Sequence, residues 1–162
     1  MYRLSDFYRL SAALTGYQEV ELQGTGVGPI YYQTLSKWVR QDVIEALYAQ
    51  AEQIGALDND TNQARFYDQI WNSAKLGPVA RNIIKMWYLS IWYQLPADWN
   101  ALYGVDDFSA DKQPVEDYVI SSNAYIQGLV WNALGSHPMG AKQPGYGTWA
   151  FPGHSAKTHN LD

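Results

Sequence analysis

The stretch LGPVARNIIKMWYLSIWY, residues 76–93, decides the fold. Gly77 is followed by Pro78 at the first helical position, where a missing amide hydrogen costs nothing. No further breaker occurs before Pro96, ahead of which a helix must end. After Ile83 apolar residues stand on nearly every side, and a helix apolar all round is buried all round. The pattern predicts a central helix, or one that faces both its own domain and a partner. Lys85, Ser90 and Gln94 interrupt the run from Ile83 to Leu95, so its apolar stretches fall short of the roughly 20 residues that span a bilayer.

Helical periodicity continues on both sides. Leu4, Phe7, Leu10, Ser11 and Leu14 recur at three- and four-residue spacing, with Ser5 as the expected cap and Gly16 as the left-handed stop. A loop over Tyr17–Pro29, containing GTGVGP, is expected next. A long helix from about Gln33 to Gln53 follows, with Leu35, Val39, Val43, Ala46, Leu47, Gln50 and Ile54 inward and Gly55 as its stop. A third helix is expected over Thr61–Ala74, facing Ala64, Tyr67, Ile70, Trp71 and Ala74 inward. Beyond the central helix, Asp98–Asp117 reads as a long irregular acidic connection, and Tyr118–Ile120 as extended. Ser121 or Ser122 caps a fifth helix through Leu134, with Ile126, Leu129, Val130, Ala133 and Leu134 inward. The remainder, residues 136–162, is a non-helical arm rich in Gly, Pro and aromatics. The expected architecture is all-α: one domain over residues 1–162 with four or five helices in a bundle-like packing, a long acidic loop and the arm.

A chain of 162 residues buries roughly two-thirds of the surface its unfolded form exposes and needs no staples. It has no cysteine, hence no disulfide, no thiolate metal site and no cysteine nucleophile. Its net charge of −5 argues against nucleic acid and anionic membranes as partners. The opening MYRLSDFYRL lacks the apolar core of a signal peptide. Seven Trp and thirteen Tyr against four Phe are the unusual feature, because Trp and Tyr concentrate at wet-edged interfaces.

Motifs that carry chemistry are incomplete. GTGVGP (Gly24–Pro29) lacks the strand and the glycine spacing of a dinucleotide loop and reads as a plain turn. DNDTNQARFYDQ (Asp58–Gln69) begins like a calcium loop, but Gln63 and Gln69 stand where Gly and a bidentate Glu are required; an Asp/Asn turn capping the next helix is the simpler reading. Asn59-Asp60-Thr61 also fits a glycosylation sequon, which matters only in a secretory pathway. His137, His154 and His159 have no metal-ligand spacing. No GxSxG elbow or SxxK box occurs, and Asp106, Asp107, Asp111, Glu116 and Asp117 read as a solvated acidic face. Neither a catalytic constellation nor a metal or cofactor site is expected in this chain.

FYRLSAALTGY (Phe7–Tyr17), LGPVARNIIKMWYLSIWY (Leu76–Tyr93) and QPGYGTWAFP (Gln143–Pro152), in that order, resemble the small subunit of bacterial FAD-dependent sugar and polyol dehydrogenases, the sorbitol dehydrogenase small-subunit family. The chain departs from that pattern at Ser90, where the family often has Gly, and at MGAKQPGYG, where some relatives carry a cysteine. The resemblance implies a non-catalytic subunit that binds, stabilises and helps export a larger flavoprotein of the glucose-methanol-choline type. FAD would sit in that partner, a cytochrome subunit would be a further partner, and the location would be periplasmic, with the cytoplasm the other reading. The expected partner-binding residues are Trp87, Trp92 and Tyr93 on the central helix and Gln143, Pro144, Tyr146, Trp149 and Phe151 on the arm. Prolines pre-order such an arm, glycines let its backbone approach another surface, and its rings fill pockets. The same arm could instead fold back on its own domain and close the core. The alternative function is a stand-alone helical binding protein whose aromatic groove holds a small apolar or sugar-like ligand.

Overall fold

A computed structural model describes residues 3–105 and 117–138. Most of the acidic connection, and the arm from Met139 onward with its five expected contact residues, lie outside the described residues. The fold is mostly helical. In chain order it comprises α1 (Leu4–Thr15), α2 (Glu19–Gly24), α3 (Gly28–Trp38), α4 (Gln41–Ile54), α5 (Asp60–Phe66), a π-helical turn (Tyr67–Trp71), α6 (Gly77–Leu89), β1 (Ile91–Trp92), α7 (Ala97–Tyr103), β2 (Tyr118–Val119), α8 (Ser122–Gln127) and α9 (Leu129–Ala133).

The five expected helices are therefore recovered as regions, but four of them differ in extent or continuity, and two short helices lie in expected loops. The second breaks at Val39, which is extended (φ −119°, ψ 132°) and bridges Gly104. Leu35, Val39 and Val43 are all buried, so the inward spacing of four carries across the break and hides it. The third helix widens into the π-turn and stops at Trp71. Asn59 caps α5, its side chain accepting the Asn62 amide at 2.9 Å, as an Asp/Asn turn should. The fifth breaks at Gly128, where an added Cβ would stand 2.8 Å from the Tyr88 carbonyl oxygen. That close approach to α6 re-aims α9, leaving Leu134 70% exposed instead of inward.

In the expected first loop, Glu21 accepts the Gln18 amide at 2.8 Å and starts α2. Pro29 occupies the first turn of α3, so that helix begins at Gly28 and not near Gln33. Arg3, not Ser5, is the N-cap residue of α1, and Asp6 accepts its backbone N–H at 2.9 Å. Pro96 does not stop the central helix but serves as N-cap residue of α7.

The central helix is α6, and it ends early. Ser90 adopts the left-handed conformation (φ 61°, ψ 24°), and the chain leaves as β1, antiparallel to β2 with Ile91 opposite Val119 and Trp92 opposite Tyr118. Trp87 is fully buried among rings from two other helices. Phe7 stacks on it at 6.1 Å, and Tyr31 meets it edge-on at 5.0 Å and 88°. Each such pair contributes roughly 0.5–1.5 kcal/mol beyond area burial. Tyr88 on the next position donates its hydroxyl to the Thr15 carbonyl at 3.3 Å, tying the end of α1 to α6.

Candidate functional site

Three of the eight expected partner-binding residues are described. Trp87 and Trp92 are 0% and 2% exposed, so the expectation that they face a partner is corrected: both are core residues. They lie inward because α1 and α3 close over α6, and because the turn at Ser90 folds β1 back under the chain. Tyr93 is half-buried, with the Lys85 ammonium 4.3 Å from its ring centre, a cation–π contact on an accessible edge. Gln143, Pro144, Tyr146, Trp149 and Phe151 lie outside the described residues. Among the described aromatics only Tyr67 is exposed, at 56%. His137 is exposed, and among the described residues no cluster of three His, Asp or Glu side chains is placed to hold a metal ion.

What the structure does bring together is a groove between α1 and α4, with a volume of about 640 Å³. Leu10, Ala12 and Ala13 line one side, and Ala51, Gly55, Ala56 and Leu57 the other. Alanine and glycine on both helices leave the space that larger side chains would fill. Across one mouth runs a hydrogen-bonded set. The Arg9 guanidinium donates to the Tyr48 hydroxyl at 2.7 Å and to Glu52 Oε1 at 3.2 Å. Tyr48 in turn donates to Glu52 Oε1 at 2.7 Å, with Asp6 Oδ1 at 3.4 Å. Desolvation, reinforced by the neighbouring Glu52 carboxylate, pushes the Tyr48 phenol up to about 12. Tyr48 is thus a neutral donor at neutral pH, and the guanidinium is held in its charged form. Glu19 and Asp58 also line the groove, and Asp58 Oδ1 accepts from the Asn59 side chain at 2.9 Å. The sequence reading missed this site. Tyr48 and Glu52 share a face at i, i+4, which was visible, but Arg9 comes from another helix 39 residues earlier.

A second polar feature sits at the core. The Tyr31 hydroxyl donates to Ser90 Oγ at 3.2 Å, and Ser90 Oγ donates to the Ala124 carbonyl. Burial pushes the Tyr31 phenol up to about 12, against a smaller opposite effect of the Ser90 bond. This set joins α3, α6 and α8; it is closed to solvent and holds the fold together.

The chain matches no family model, no curated protein and no solved structure.

Proposed function

We propose that this protein is a non-catalytic small subunit that binds, stabilises and assists export of a flavin-dependent sugar or alcohol dehydrogenase, with FAD held by the larger partner. A cytochrome subunit is a further partner of the complex, and its place is the periplasm. One observation supports this reading above the rest: the first two sequence segments that carry the resemblance meet each other in the core. Phe7 stacks on Trp87, and Tyr88 reaches the Thr15 carbonyl. Residues that pack together are the ones a family pattern has physical cause to preserve together. Partner contact then falls to the closing segment, Gln143, Pro144, Tyr146, Trp149 and Phe151, with Tyr93, just past β1, as a further candidate.

The test is co-expression with a flavoprotein dehydrogenase encoded beside this chain. The expected result is co-purification and dye-linked sugar oxidation by the pair. Trp149→Ala should abolish co-purification while leaving the helical circular dichroism unchanged. Turnover by this chain alone, or failure of the two to associate, would overturn the reading.

The second reading, a stand-alone helical binding protein, draws its support from the α1–α4 groove. Among the described residues that groove is lined by a single ring, Tyr48, so it favours binding without an aromatic stack.

A further inference from the structure

We draw no further inference here: the strongest candidate, the groove between α1 and α4 walled by Leu10, Ala13, Ala51 and Leu57, carries nothing, because nothing in the structure shows what covers it.

Discussion

Ser90 is where the structure makes its sharpest claim about stability. It is the one non-glycine residue with positive φ among the described residues, at 61°, and it is fully buried. Two opposing effects meet there. The left-handed backbone disfavours any residue with a Cβ by roughly 1–2 kcal/mol. The hydroxyl offsets this by accepting from Tyr31 and donating to the Ala124 carbonyl. Each bond contributes about 1 kcal/mol net, and a buried group left unsatisfied costs roughly 1–3 kcal/mol. Ser90→Ala keeps the strained backbone and loses both bonds, so it should destabilise by about 2–4 kcal/mol. Ser90→Gly loses the same bonds but releases the strain, so it should lie about 1 kcal/mol above the alanine variant. Urea unfolding followed by tryptophan fluorescence separates the two, because about 1 kcal/mol moves the midpoint by roughly half a molar. Tyr31→Phe in the Ser90→Ala background should cost less than it does alone, since both partners are then gone. A glycine variant no more stable than the alanine one, or strict additivity with Tyr31→Phe, would refute this account of the turn.

The remaining predictions test other joints of the fold. Gly128→Ala should destabilise by roughly 1–3 kcal/mol, because its Cβ would press on the Tyr88 carbonyl at 2.8 Å; calorimetry reads this as a fall in Tm. Gly77→Ala should act likewise, since its Cβ would run into the Trp71 carbonyl oxygen, a backbone atom that cannot swing aside; urea midpoints check it. Alkali should unfold the protein: the Tyr31 proton is released near 12 in the folded chain against 10.0 when exposed, so above pH 10 the unfolded state binds fewer protons. Stability from this group is complete below pH 10 and falls by about 1.4 kcal/mol per pH unit up to 12, and Tyr31→Phe should flatten that slope in pH-dependent urea titrations.

Most helical regions could be read from the chain because their apolar faces repeat at helical spacing; some ends could be read too, Gly16 and Gly55 stopping α1 and α4 as expected, but others could not. Pro78 marked the start of α6 through a rule that acts on one residue, and it held. The stop at Ser90 depends on Tyr31 and Ala124, 59 and 34 residues away, and no local pattern encodes it. The break at Val39 is similar: it is sustained by the bridge to Gly104 and by the Trp38 indole donating to the Tyr118 hydroxyl at 2.9 Å. The α2 helix was legible in principle, since Gln18 and Glu21 stand at capping-box spacing, but the glycines that follow outweighed them. The groove had no sequence signature because its features are the smallness of Ala12, Ala13 and Ala51 and a hydrogen-bonded set assembled from two helices.

The abundance of rings means something different once they are placed. Six of the seven tryptophans lie among the described residues, and every one of them is buried or half-buried. Trp38 and Trp99 are mostly inward yet give their indole N–H to the Tyr118 hydroxyl and the Lys75 carbonyl, each at 2.9 Å. Trp131 gives its own to the Tyr125 carbonyl at 2.7 Å. Short helices leave many chain ends inside, and a ring with a polar tip can fill the space between them while satisfying a loop carbonyl. Phenylalanine fills the space without the bond, which accounts for Trp at positions 38, 99 and 131 without invoking a partner, whereas the buried Trp87 indole N–H finds no acceptor among the described residues. An interface therefore draws no support from the tryptophan count as a whole. Trp149 of the closing segment lies outside the described residues, so the co-purification of Trp149→Ala tests the partner reading where the buried tryptophans of the helical core cannot.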